Sequence, residues 1–169
     1  MTPTSIAARA AIVVVALAPA LPAQAREPVR TEACARINPQ QVAALFDRWN
    51  AALKTGNPDT VTQVYTPDAI LIPTLTNDPR VGAEAIRAYF VDFLKKQPQG
   101  AIRDRTIRIG CNFALDAGTY VFTLKGDQPG STTQVPARYT FLYEPRHGQW
   151  LIVHHHSSAM PEPAAPARP

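Results

Sequence analysis

The chain has 169 residues, 46% hydrophobic and 18% charged, with 17 lysines and arginines against 13 acids. That length makes one ordinary domain with a full apolar core, so no metal is needed to hold it together. The charge excess of +4 is mild, and the basic residues are dispersed through Arg80, Arg87, Arg103, Arg105, Arg108, Arg138 and Arg146. No basic helix and no aromatic–basic interleaving points to nucleic acid.

Residues 1–25 read as an export signal. Arg9 supplies the positive start, residues 10–21 are an apolar run too short to span a bilayer comfortably, and Ala23-Gln24-Ala25 is a small-x-small cleavage pattern. Cleavage after Ala25 leaves about 144 residues and no membrane segment; an uncleaved anchor is the alternative. Residues 26–33 form a loose arm, 34–160 the domain, and 161–169 a proline-rich tail that cannot form a core and is expected to be disordered. Export implies a periplasmic or secreted protein. In that oxidising setting the two cysteines, Cys34 and Cys111, are expected to pair. The alternative, a reactive thiol, lacks a CxxC motif or a neighbouring histidine.

Asn38-Pro39-Gln40-Gln41 predicts a helix start, with Asn38 as cap, Pro39 in the first turn and Gln41 reaching back. Val42, Leu45, Phe46, Trp49 and Leu53 then recur at helical spacing, and Gly56 ends the helix. Asn57-Pro58 starts a short second helix with Val61, Val64 and Tyr65 inward, and Pro67-Asp68 breaks it. Residues 69–72 predict a short strand, and 83–96 a third helix with Ile86, Tyr89, Phe90, Phe93 and Leu94 on one face. The period then changes to two. Strands are predicted over 103–111, 119–125, 135–144 and 149–157, with turns at Asp116-Ala117-Gly118 and Arg146-His147-Gly148. Three helices followed by antiparallel strands predict an α+β fold, the helices packed on one face of a curved antiparallel sheet.

Both faces of that sheet read as apolar. Arg138, Thr140 and Leu142 share one side of their strand, and Tyr139, Phe141 and Tyr143 the other. On the last strand Leu151, Val153 and His155 share a face, opposite Trp150, Ile152, His154 and His156. The helices cover one face only. A subunit contact through Tyr139, Phe141, Tyr143, Trp150, His154 and His156 is therefore expected, making the protein a homodimer or higher homo-oligomer.

Ala137-Arg138-Tyr139-Thr140-Phe141 and the run from His147 through Trp150 and His154-His155-His156 to Pro161 carry a resemblance. So do Leu45 to Leu53 and Arg105 to Cys111. These segments resemble the nuclear transport factor 2-like superfamily, and within it the exported bacterial relatives of the calcium/calmodulin-dependent protein kinase II association (hub) domain. The resemblance implies a cone of helices and curved sheet around a pocket, a sheet-to-sheet dimer, and arginines inside the cone that bind small carboxylates. Arg138 matches one of those arginines, whereas Phe122 and Ser157 stand at two others. There is no kinase domain, so no kinase activity is expected. Superfamily enzymes such as SnoaL-like polyketide cyclases, ketosteroid isomerase and scytalone dehydratase transfer protons in this cone. A cyclase, isomerase or dehydratase is therefore the alternative to a non-catalytic binding or assembly module.

The candidate ligand-binding residues are Arg138, His155, Tyr89, Tyr65 and Trp49. Arg138 is either an anion-binding cation or the partner of Glu84, Asp92 or Asp68. His155 is the candidate base or donor, or a hydrogen-bonded core histidine; Asp68 and Asp92 are the other candidate bases. Trp49, Tyr65, Tyr89 and Phe93 line a pocket or fill the core. His154 and His156, at i and i+2, are dimer contacts or half of a metal site, with no third ligand at suitable spacing. No glycine-rich phosphate loop, GxSxG or HExxH occurs, and no cofactor is expected. The expected partners are further copies of the chain and a small organic acid.

Overall fold

The computed structural model describes residues 33–161; the expected export signal, the expected arm before residue 33 and the expected tail after residue 161 lie outside the described residues. Helix α1 spans Pro39–Lys54 and starts as its sequence requires. The Asn38 side chain accepts from the Gln41 N–H at 2.9 Å, and the Gln41 side chain accepts from the Asn38 N–H at 2.9 Å. The helix buries Val42, Phe46, Trp49, Ala52 and Leu53, and Gly56 follows it at φ 67°. Helix α2, Pro58–Thr62, is capped by Asn57. Helix α3 spans Gly82–Phe93 and tightens into a 3-10 turn over Leu94–Lys96, with Ile86, Phe90 and Leu94 buried.

One six-stranded sheet completes the domain, built from β1 (Tyr65–Ile72), β2 (Arg80–Val81), β3 (Gln99–Gly110), β4 (Phe113–Lys125), β5 (Thr132–Arg146) and β6 (Gln149–Ala159). Its order is β2-β1-β6-β5-β4-β3. The α+β architecture is as expected, but the sheet is mixed rather than antiparallel, because β1 runs parallel to β6. With β5 on one side of β6, β1 takes the other edge, and the long chain between β1 and β6 leaves their relative direction unfixed by any short turn.

Three local assignments differ from expectation. Tyr65 opens β1 instead of closing α2. The β3–β4 turn is Cys111-Asn112, with Asn112 at φ 60°, and Asp116-Ala117-Gly118 lies mid-strand in β4. Gly118 suits that position because the β3–β4 register shifts between Ile102 and Asp104, bringing the Asp104 carbonyl against it. A Cβ on Gly118 would stand 2.0 Å from that oxygen. Cys34 and Cys111 form the expected disulfide, and Asn112 Oδ1 accepts from the Ala35 N–H at 2.8 Å beside it.

The sides of the sheet also need correction. Tyr139, Phe141 and Tyr143 were expected at a subunit contact, but they are buried in the chain's own core against α1. Trp150 is partly buried against the same core. The aromatic row of β5 carries far more apolar surface than Thr140 and Leu142, so it takes the helix-covered face. On β6 the alternation breaks. Leu142 pairs with His154 and Tyr143 with Ile152, so Val153 is an extra residue opposite no partner. This bulge lets Ile152 and His155, three residues apart, both face the core, while His154 and His156 keep the outward side expected of them.

Candidate functional site

The helix-covered face converges on His155, 3% exposed. Trp49 on α1 donates its Nε1–H to Tyr65 Oη at 2.9 Å, and Tyr65 Oη lies 2.9 Å from His155 Nδ1. Indole nitrogen can only donate, so the Tyr65 oxygen accepts from Trp49 and its own hydrogen goes to Nδ1. The remaining imidazole proton is then on Nε2, which is buried and has no hydrogen-bond partner. The opposite tautomer would orphan both the Tyr65 hydroxyl hydrogen and Nε2, two atoms rather than one. Phe141 stacks on the His155 ring at 4.0 Å and Trp49 meets its edge at 5.2 Å. Burial, with His154 and His156 adding a smaller effect, pushes the imidazole down to about 3. His155 is thus neutral, a donor at Nε2, and a poor base.

His155 lines a small inner void with Trp49, Thr74, Tyr120, Phe122 and Ser157. Three of its hydroxyls are bonded together: Tyr120 donates to Ser157 Oγ at 2.5 Å, and Thr74 bonds to the same oxygen. Thr74, Tyr89, Phe93 and Phe122 line both this void and a larger cavity of about 460 Å³. That volume is in the range of small-molecule sites. The cavity lies between α3 and the sheet. Tyr89 stacks on Phe93 at 5.4 Å, and Phe93 meets Phe122 edge-on at 5.7 Å. Arg80, Asp92 and Lys96 supply its charge. Asp92 pairs with Lys95 at 2.6 Å. The Arg80 Nε–H is buried and has no partner among the described residues. Burial raises the Tyr89 hydroxyl to about 12, so it remains protonated.

A second polar cluster lies elsewhere under α1. Asp116, 0% exposed, accepts from Tyr139 at 2.8 Å and from Arg105 Nε at 3.1 Å on one oxygen. The Arg105 guanidinium also sits over the Phe46 ring at 5.7 Å. Burial raises the Asp116 carboxyl from its ordinary value, against the pull of Tyr139 and Arg105. The cluster anchors β3 and β4 to α1 and does not line the cavity.

The model of the calcium/calmodulin dependent protein kinase II association domain matches residues 38–161, most of the chain. The chain belongs to that family. A solved Xanthomonas campestris protein described as such an association domain is 53% identical, with a TM-score of 0.71; the match covers 75% of this chain and 91% of that one. A nuclear transport factor 2-like superfamily protein from Salmonella enterica (17% identity, TM-score 0.63, covering 76% and 95%) shares the fold. So does a Streptomyces avermitilis protein described as a dehydratase of the nuclear transport factor 2-like family (15%, 0.63, 72% and 94%).

Within this association-domain fold the expected site residues separate. Trp49, Tyr89 and His155 line the inner void, and Tyr65 supports it from behind. Arg138 does not point into the cone. It is exposed on the opposite side of β5, where it donates to Ser158 Oγ at 3.2 Å and the Ala159 carbonyl at 3.3 Å. The alternation that buries Ala137 and Tyr139 turns it outward. Arg80 and Lys96, which sequence reasoning did not single out, supply the cavity's cations. Arg80 follows the Asn77-Asp78-Pro79 loop and opens the two-residue strand β2 just before α3, too short a stretch for periodicity to mark its direction. Asp116 did carry a signal, an acid in step with Ala114, Tyr120 and Phe122 on an apolar strand face.

Proposed function

We propose that this protein is an exported, self-associating module that binds a small organic acid in the cavity beneath α3. The observation that carries the reading is Arg80, whose buried Nε–H has no partner and whose side chain lines an aromatic-walled cavity. A guanidinium with an open donor in an apolar setting is matched by a carboxylate. Lys96 adds a second positive charge, while Asp92 is engaged by Lys95. The inner end, with Phe122 and Ser157, has no charged residue among its lining, so the anion belongs beside Arg80. The proton-transfer alternative would need His155 as base, and the burial of its imidazole and the Tyr65 bond to Nδ1 both oppose that role.

Export is supported by the leader pattern and by the Cys34–Cys111 bond, which suits an oxidising compartment. Self-association is supported by family membership and by the outer sheet face, where Val121, Leu142 and Val153 are half-buried and Ile70 and Phe113 are 39% and 41% exposed.

The test is calorimetric titration of the oxidised protein with aromatic and branched aliphatic carboxylates and with their methyl esters. Acids should bind and esters should bind at least tenfold more weakly. Arg80→Met should remove the difference, a loss in line with a charge-assisted hydrogen bond. Equal binding of acid and ester to the unaltered protein would sink the assignment.

A further inference from the structure

Among the described residues lining the two adjoining spaces, two side chains carry a buried atom without a hydrogen-bond partner, Arg80 (Nε), which lines the larger cavity, and His155 (Nε2), which lines the inner void. Both are N–H donors once the Trp49–Tyr65–His155 chain has fixed the imidazole tautomer. They call for two different acceptors. Arg80 is cationic and suits an anion. His155 is neutral, and no cation among the described residues lines the void. An anion there would be buried among Trp49, Phe90 and Phe122 without compensation.

The inner void measures about 10 Å³, room for about one oxygen-sized atom. A carbonyl oxygen fits, because it accepts a hydrogen bond without bringing a hydrogen that needs an acceptor. The neighbouring hydroxyls of Tyr120, Thr74 and Ser157 are already bonded together. We propose that His155 Nε2–H reads a neutral carbonyl oxygen, and that the ligand is an apolar or aromatic acid with a carbonyl at the end remote from its carboxylate. This rests on the reading of the cavity as an acid-binding site. His155 then determines specificity as a fixed donor. The bond from Tyr65 positions it, and the stack on Phe141 holds its plane. A site built around a buried donor discriminates strongly against an analogue that leaves that donor unpaired.

The test uses two probes of matched shape, 4-acetylbenzoate and 4-isopropenylbenzoate, which differ only by a carbonyl oxygen in place of a methylene. The unaltered protein should bind the ketone about tenfold more tightly. His155→Leu should bring the two affinities together, and His155→Gln, which keeps an acceptor for Tyr65 and a donor for the ligand, should restore part of the gap. Nitrogen-15 NMR of the unaltered protein carries the test even if the variants fail to fold. It should show the proton on Nε2 at neutral pH, and that resonance should move with the ketone and not with the alkene. Equal affinities, a proton on Nδ1, or a preference that survives His155→Leu would overturn the inference while leaving the acid-binding cavity standing. If neither probe bound, the acid-binding reading would fail and the carbonyl assignment would fall with it.

Discussion

Phe141 and His155 are direct partners across β5 and β6, and their rings lie face to face, 4.0 Å apart and 21° from parallel. That stack removes the imidazole from water and is one reason why it resists protonation. The folded chain keeps His155 neutral down to about pH 3, against an ordinary value of 6.5. Between those values the unfolded chain binds the extra proton, so stability falls as the pH falls. The slope is about 1.4 kcal/mol per pH unit once the medium is well below 6.5. Urea unfolding at pH 7, 6, 5 and 4 should show this slope. His155→Gln, which cannot titrate, should flatten it; parallel pH profiles for the two proteins would contradict the burial argument.

Tyr65→Phe should cost more than the loss of one hydroxyl suggests. It leaves the Trp49 Nε1–H and His155 Nδ1 both buried without a partner, at about 1–3 kcal/mol for each. A fall in unfolding free energy of at least 2 kcal/mol is expected. A change below about 0.5 kcal/mol would mean that the chain of hydrogen bonds is not maintained in solution.

Reducing the protein should destabilise it without altering the fold. The Cys34–Cys111 bond spans a sequence separation of 77, for which loop-closure entropy gives on the order of 4 kcal/mol. A reductant, or the paired change of both cysteines to serine, should shift the urea midpoint downward by a corresponding amount. An unmoved midpoint would show that the segment before α1 is held by other contacts.

Leu142→Arg places a charge on the outer sheet face while leaving the inward aromatic row untouched. If copies associate through this face, the dissociation constant should rise by tenfold or more, seen as a lower mass by light scattering after size exclusion. The helix content should not change. An unchanged mass at equal concentration would move the contact to another surface.

The parts of the fold set by local chemistry were legible. Asn38, Pro39 and Gln41 mark the start of α1, His147-Gly148 turns the last hairpin, and the two cysteines pair. The sidedness of the sheet was not. Alternation gives two faces but does not say which one the helices cover, and β5 is apolar on both. Arg138 was therefore expected inside, and the row of Tyr139, Phe141 and Tyr143 outside, the reverse of their placement. Asp116-Ala117-Gly118 reads as a turn because its composition is that of one, yet it lies mid-strand, where a register shift presses the Asp104 carbonyl against Gly118. Of the residues expected to line a pocket, Trp49, Tyr89 and His155 do line the inner void, and their residue types and spacing marked them. Arg80 required the tertiary path of the loop before α3.

The extra residue at Val153 means that the histidine run obeys two different alternations within one strand. Pairing Val153 as an ordinary strand residue, with no bulge, would carry a regular pleat on from Ile152. The third residue of the run would then take the parity of the cavity side, and the second would take that of the outer sheet face. The bulge thus sets both which residue lines the inner void and which residues face outward, so its loss alters void and outer face together, whereas a substitution alters one at a time.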